Sequence, residues 1–234
     1  MECMKKYRNE WKYCCDEGEL ALLSARIQNI LAVDEHALEQ EKYVLHSLYF
    51  DDYKDTCAYD NVIGLERRYK WRIRYYDGPS TYLHLELKQK LYGRTHKDSC
   101  ELSKSDYRLI MENRAEELFW KTDNKLLKKF CYAIMTRQFR PKVIIYYERT
   151  AYVEPITNIR ITLDQNISAS NDFDHFLDGN YQKIPLLGGS RHILEVKFDY
   201  ILPGYIRDIV NSHGFKQISF SKYYIGRKKL EELI

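Results

Sequence analysis

The chain has 234 residues, a formal net charge of +3, 44% hydrophobic and 30% charged residues. This is ordinary globular composition, long enough to bury about 70% of the unfolded surface and build a core without disulfide staples. A charge so near balance excludes any argument from bulk electrostatics for a polyanionic partner; only the placement of charges can make one.

The first residues, MECMKKYRNEWKY, lack the apolar stretch of a signal peptide, and no run approaches the ~20 apolar residues that a membrane-crossing helix needs. Six cysteines (Cys3, Cys14, Cys15, Cys57, Cys100, Cys131) form no C-x-x-C pair and have no histidine at zinc-finger spacing. They read as free thiols of a reducing, cytoplasmic protein with no membrane span in this chain.

A first strand is predicted over Tyr7–Tyr13. A helix capped by Asp16 follows, with Leu20, Leu23, Ile27, Ile30 and Leu31 at helical spacing. Strands are expected at Tyr43–Asp51, Glu66–Tyr76 and Thr81–Lys90, the last two joined by the turn Asp77-Gly78-Pro79-Ser80. A helical region runs from Ser103, with Asp106 in capping-box position, to Arg137, with a restart at Asp123 or Asn124. Strands at Lys142–Tyr152, Asn158–Asp164 and Ile193–Asp199 flank a loop from about Ser168 to Ser190. The last helices are Pro203–Ser212, followed by Gly214, and one from Ser221 to the C-terminus. No repeat or linker divides the chain, so a single domain over 1–234 is expected.

Alternate residues of a strand share a face. One face of Arg68–Tyr75 carries Arg68, Lys70, Arg72 and Arg74, and the other carries Tyr69, Trp71, Ile73 and Tyr75. His84, Glu86, Lys88 and Lys90 oppose Leu83, Leu85 and Leu87. The same split sets Arg8, Glu10 and Lys12 against Tyr7, Trp11 and Tyr13; it sets Arg160, Thr162 and Asp164 against Ile159, Ile161 and Leu163, and Glu195, Lys197 and Asp199 against Leu194, Val196 and Phe198. Tyr147 and Arg149 share a face. A solvated strand face explains alternation alone, but four like charges at ~7 Å steps repel unless an anion neutralises them. The charged faces are therefore expected to curl inward around a wet lumen, with the apolar faces outward under the helices. This is an α+β arrangement built on a closed antiparallel β-barrel of about eight strands.

Several short motifs occur in a telling order: Glu10-x-Lys12, Ser47-Leu48-Tyr49-Phe50-Asp51, Lys70-x-Arg72-x-Arg74, Leu85-Glu86-Leu87-Lys88, Tyr147-x-Arg149-x-Ala151, Leu194-Glu195-Val196-Lys197 and Ser221-Lys222-Tyr223. In this order, over nearly the whole chain, they resemble the VTC (polyphosphate polymerase) domain of the triphosphate tunnel, or CYTH-like, superfamily. Arg8 stands where the wider superfamily has the first Glu of an E-x-E-x-K signature, a departure that suits a VTC member better than a cyclase or triphosphatase. Eukaryotic VTC proteins also carry an SPX domain and membrane helices. The sequence shows neither and resembles the bacterial stand-alone form.

The resemblance implies a metal-dependent phosphotransferase that extends inorganic polyphosphate from ATP or another nucleoside triphosphate, with manganese or magnesium as cofactor. By matched motif, Lys12, Lys70, Arg72, Arg74, Lys88, Arg149, Arg160 and Lys197 would grip phosphates, with Tyr147 donating to a phosphate oxygen and Ser221 and Lys222 at one mouth. Arg72, Arg74, Lys222 and Glu195 would be the catalytic set. Glu195 would hold the metal, with Glu86 or Glu10 as candidate second ligands. Two alternatives remain open at this point: a triphosphate or polyphosphate hydrolase, and a non-catalytic polyphosphate-binding module. A nucleic-acid partner is not expected, because the basic residues alternate into a strand face and no nucleic-acid motif is present.

Overall fold

Alternation sorts the side chains of each strand into two environments, and the sheet is built around that division. The computed structural model describes residues 6–34, 42–77, 82–211 and 214–233. The strands are β1 (Asn9–Cys15), β2 (Ala32–Val33), β3 (Tyr43–Asp51), β4 (Arg67–Tyr76), β5 (Leu83–Leu91), β6 (Arg94–Leu102), β7 (Arg140–Glu154), β8 (Ile159–Ser170), β9 (Ile184–Pro185) and β10 (His192–Phe198). The helices are α1 (Glu17–Ile27), α2 (Thr56–Val62), α3 (Lys104–Met111), α4 (Ala115–Lys121), α5 (Lys125–Arg137), α6 (Gly204–Asn211) and α7 (Lys222–Glu231).

All the strands join one antiparallel sheet in the order β1-β10-β8-β7-β3-β4-β5-β6, with β2 added on β7 and β9 on β8. The expected closed barrel is corrected here: the sheet is open, with β1 and β6 as its two ends. It curves far enough for those ends to meet at one isolated bridge, where Arg8 and Thr95 exchange backbone hydrogen bonds of 2.8 Å. Among the described residues no ladder extends the bridge. Beyond it the seam is spanned by side chains: Glu10 of β1 accepts from Lys88 of β5 at 2.8 Å and from Thr95 of β6 at 3.3 Å. Charged inward positions on both sides of the seam thus interact through their ends instead of their backbones.

The apolar strand faces pack outward beneath helices. Trp71, Ile73, Leu85 and Leu87 join Tyr107, Leu118, Leu127 and Phe130 of α3–α5 in one core. Leu20, Leu23 and Ile27 of α1 and Ile206 and Val210 of α6 cover Ile161, Leu163, Leu194 and Val196 in the other. Burying each such large side chain contributes about 1.5–3 kcal/mol.

The helix starts follow the expected caps. Asp16 and Glu19 form a reciprocal capping box, Ser103 accepts from the Asp106 N–H, and Asn124 accepts from the Leu126 and Leu127 N–H groups. The region from Ser103 to Arg137 is three helices, broken where Asn113 takes a left-handed backbone (φ 62°) and again before Asn124. Four elements were not expected: α2, β6 and the two-residue strands β2 and β9. Residues 168–170, expected in a loop, continue β8 and pair with β7 and β9. Gly78, Pro79, Ser80 and Thr81 lie outside the described residues, as do Cys3 and Ser212, but β4 and β5 pair in the expected antiparallel sense. The described cysteines are free thiols, and no described helix is long and apolar enough to cross a membrane.

Candidate functional site

The concave face of the sheet encloses a cavity of about 450 Å³. Its lining among the described residues includes ten Lys or Arg side chains and two carboxylates, Glu10 and Glu195. β1 supplies Glu10 and Lys12; β4 supplies Arg68, Lys70, Arg72 and Arg74; β5 supplies Lys88 and Lys90; β7 supplies Tyr147 and Arg149; β10 supplies Glu195 and Lys197. One end is closed by residues 217–221, which run alongside β1. The Ile218 N–H donates to the Lys12 carbonyl at 2.8 Å, and the Lys12 ammonium donates to the Phe220 carbonyl at 2.9 Å. Ser221 then caps α7, which delivers Lys222 to the same end.

Register sets the charge pattern of the wall. Arg72 faces Glu86 across β4/β5, and its guanidinium donates to that carboxylate from Nε (2.6 Å) and Nη2 (2.5 Å) and to the Tyr49 hydroxyl from Nη1 (2.9 Å). One rung outward Lys70 faces Lys88, and one further Arg68 faces Lys90. Like charges directly opposite destabilise a ladder. Lys88 is relieved by Glu10, whereas the Lys70 ammonium has only neutral acceptors, Asn61 Oδ1 at 3.1 Å and Ser221 Oγ at 2.7 Å. Burial, together with Lys88, Lys12 and Arg68 nearby, holds the Lys70 pKa well below the ordinary lysine range. Burial likewise lowers Lys88 to about 8, against the attraction of Glu10.

Two groups of ion pairs fix the remaining cations. Asp164, fully buried, accepts from Arg149 Nε and Nη2 (2.6 and 2.8 Å) and from Lys222 Nζ (2.5 Å). On the opposite side Lys12 lies 3.1 Å from Glu10 and 3.5 Å from Glu195, and Lys197 lies 2.8 Å from Glu195. Burial favours the neutral acid at Glu195, but Lys197, Lys12 and Lys88 outweigh it and keep the carboxylate well below its ordinary range. Arg74 donates to Ser47 Oγ (3.0 Å) and to the Tyr147 hydroxyl (2.7 Å), leaving the Tyr147 proton available to a ligand.

Of the residues predicted for the site, Glu10, Lys12, Lys70, Arg72, Arg74, Lys88, Tyr147, Arg149, Glu195, Lys197, Ser221 and Lys222 line the cavity. Glu86 and Arg160 are not in that lining. Glu86 is a buried counter-ion for Arg72 and Lys97 (2.7 Å), and Arg160 pairs with Asp34 (3.1 Å) and the Tyr43 hydroxyl (3.0 Å). The sequence reading did not place Tyr49, Asn61 or residues 217–220 in the lining, nor Asp164 behind it as the counter-ion of Arg149 and Lys222; for Tyr49 the available signal was its strand register opposite Arg72. Arg8 forms an ion pair with Asp199 at 2.9 Å, so the position of the missing Glu contributes no carboxylate to the cavity.

Among the described residues no cluster of three His, Cys, Asp or Glu groups forms a ready-made metal site. Glu10 and Glu195, hard oxygen donors bound to the same Lys12, are a donor set suited to a hard divalent cation that takes its other ligands from an oxyanion.

The model of the VTC domain matches residues 7–231. Vacuolar transporter chaperone complex subunit 4 of Schizosaccharomyces pombe is 31% identical over an alignment of 123 residues that covers 44% of this chain and only 17% of that protein. Two solved structures share the fold over most of both chains. A putative adenylyl cyclase from Hippeastrum, described as having a dominant triphosphatase activity, has a TM-score of 0.57 at 14% identity, covering 96% of each chain. A putative adenylate cyclase from Bacillus halodurans has a TM-score of 0.58 at 13% identity, covering 94% of this chain and 96% of that one. With the family model matched from residue 7 to residue 231, the chain belongs to the VTC domain family.

Proposed function

We propose that the protein is a metal-dependent phosphotransferase of the polyphosphate polymerase type, moving the γ-phosphate of ATP to the end of a growing inorganic polyphosphate chain. The observation that carries this reading is the cation excess of the cavity, ten Lys or Arg to two Glu among the described lining residues. A linear oligophosphate offers a negative charge at every unit and relieves the Lys70–Lys88 and Arg68–Lys90 repulsions together. The family membership and the relation to subunit 4 of the vacuolar transporter chaperone complex support the same substrate class.

Phosphoryl transfer asks the protein for in-line positioning and for neutralisation of charge on the transferring oxygens. Arg72 and Arg74 are held by Glu86, Tyr49, Ser47 and Tyr147, so their forks are oriented before any ligand arrives. Lys12, Lys70, Lys88, Lys197 and Lys222 supply point charge, and the Tyr147 hydroxyl and the Ser221 hydroxyl supply neutral hydrogen bonds. Glu195 and Glu10 would hold manganese or magnesium, which when bound polarises phosphoryl oxygens and offsets their charge.

One observation favours transfer to phosphate over transfer to water. No histidine lines the cavity among the described residues, and its carboxylates are kept ionised by lysines at pKa values well below the ordinary range, which makes them weak bases. Water as acceptor needs a base, and the lysines whose pKa burial lowers, Lys70 and Lys88, are driven back to ammonium by a bound phosphate chain; a terminal phosphate is already ionised. Incubation of the purified protein with ATP and manganese is expected to give a polyphosphate ladder on a gel. Release of free phosphate without a ladder would replace this reading with the hydrolase, and tight polyphosphate binding without turnover would replace it with the binding module.

A further inference from the structure

A second cavity of about 520 Å³ lies between α5 and the outer side of the β4/β5 ladder. It meets the first at Arg68, Tyr69 and Lys90, which line both. Its cations are Arg67, Arg68, Lys90, Lys129 and Arg137, and no carboxylate is among its described lining residues. Arg137 is engaged by Asp52 and by the Tyr69 hydroxyl. Arg67, Arg68, Lys90 and Lys129 form no ion pair with a described carboxylate. The two aromatic and aliphatic groups at its floor, Trp71 and Leu87, are already sealed into the core at 2% and 1% exposure. Tyr7, Tyr69 and the exposed Tyr132 add rings and hydroxyls to the lining, so the surface left for a ligand is cationic and edged with tyrosines.

The β4/β5 rungs form a graded series toward this groove. Arg72–Glu86 is neutralised within the pair, Lys70–Lys88 is half relieved by Glu10, and Arg68–Lys90 has no ion pair with a described carboxylate, Asp60 and Glu10 acting on it only from a distance. Burial and the facing Arg68 both lower the Lys90 pKa. The deficit of negative charge thus grows from the inner cavity outward and continues over the rim to Arg67 and Lys129.

We propose that this groove is a second phosphate-chain site, continuous with the inner cavity across the Arg68–Lys90 rung, and that it holds the stretch of polyphosphate lying outside that cavity. The inference rests on the inner cavity being a phosphate-chain site, and it adds a track for long chains that a triphosphate does not reach.

The test compares the binding of inorganic tripolyphosphate and of long-chain polyphosphate by the wild-type protein and by the double variant Arg67→Glu/Lys129→Glu. Both positions are exposed, and a thermal melt checks that the variant is folded. Long-chain affinity is expected to fall about ten-fold or more in the variant, with a shallower salt dependence, while tripolyphosphate affinity is unchanged. Reversal of an exposed lysine away from the groove, Lys104→Glu, is expected to leave both affinities unchanged. Long-chain affinity within about two-fold of wild type overturns the proposal, as does an equal loss for both probes or an equal effect of Lys104→Glu. Loss of affinity for ATP alone would assign the groove to a nucleobase and overturn it as well. Wild-type protein that binds both probes but makes no polyphosphate from ATP removes the polymerase reading and leaves the groove intact, so the two failures are distinguishable.

Discussion

The Lys222 ammonium donates to the Asp164 carboxylate at 2.5 Å, and this contact ties the start of the last helix to the middle of the sheet at the edge of the cavity. Asp164 also takes both arms of its bond with Arg149, so one carboxylate serves two buried cations. Removing one partner of such a group is far costlier than exchanging the whole set, because the remaining charges stay buried. Asp164→Ala is expected to lower unfolding stability by about 3–5 kcal/mol. Lys222→Met leaves the Arg149–Asp164 pair whole, so it should keep its unfolding midpoint near wild type while tripolyphosphate affinity drops by about ten-fold, or roughly 1.4 kcal/mol. Urea unfolding and calorimetric titration of the two variants check this asymmetry. Equal stability of both would show that Asp164 is not the anchor.

Glu195 is the residue whose replacement is expected to separate turnover from binding. Among the described residues its carboxylate pairs with lysines alone, and replacing it with an amide of the same shape removes one of two negative charges from a mostly cationic lining. Glu195→Gln is expected to bind tripolyphosphate at least as tightly as wild type. Its turnover of ATP with manganese should fall on the order of 100-fold. Lys12 retains Glu10, so the fold is unaffected. Chelation of divalent metal should stop turnover of the wild-type protein and leave its thermal midpoint unchanged. A Glu195→Gln protein with undiminished turnover would remove this carboxylate from the metal site.

What could be read from the chain, and what could not, follows from how local each signal is. Alternation along Arg68–Tyr75 is a property of one strand, and it placed Lys70, Arg72 and Arg74 on the concave face correctly. Closure of the sheet is a property of its two most distant edges. It depended on β6, whose sequence RTHKDSCEL is polar on both faces and gives no apolar period to detect. The missed strand also hid one of the two partners of Glu86, since Lys97 sits there. Arg160 resembled its neighbours in pattern, but Asp34 and Tyr43, far off in sequence, claim its guanidinium. Residues 217–221 carry no motif before Ser221; they reach the site only because α6 and the turn at Gly214 return the chain alongside β1.

Lys70 gives the cavity a pH dependence whose sign is fixed. Burial and neighbouring cations depress its pKa in the free protein, so the neutral amine appears at a lower pH than for an ordinary lysine. A bound phosphate chain favours the ammonium and raises the pKa again. Binding therefore takes up a proton, and affinity falls as pH rises through the interval between the free and bound values. Calorimetry of tripolyphosphate binding in two alkaline buffers of different ionisation enthalpy is expected to show proton uptake by wild type and less uptake by Lys70→Arg, which keeps the charge but does not titrate there. Equal uptake by the two proteins would remove Lys70 as the titrating group.

Gly226 sets how closely α7 approaches the sheet. A Cβ added there would lie 2.5 Å from Ile145 Cδ1, 3.3 Å from Val143 Cγ2 and 3.4 Å from Ala169 Cβ, all side chains of β7 and β8. An alanine meets mainly the flexible end of Ile145, and its better helix propensity, about 1 kcal/mol over glycine, offsets part of the crowding. A leucine has no such escape, because Val143, Ile145 and Ala169 are all buried. Gly226→Leu is expected to cost about 1–3 kcal/mol in overpacking. The strain is relieved by lifting α7, which carries Lys222 away from Asp164 and Ser221 away from Lys70. Tripolyphosphate affinity should therefore fall together with the thermal midpoint in Gly226→Leu and change little in Gly226→Ala. A leucine variant with wild-type midpoint and affinity would show that the helix does not need this close approach to hold the end of the cavity in place.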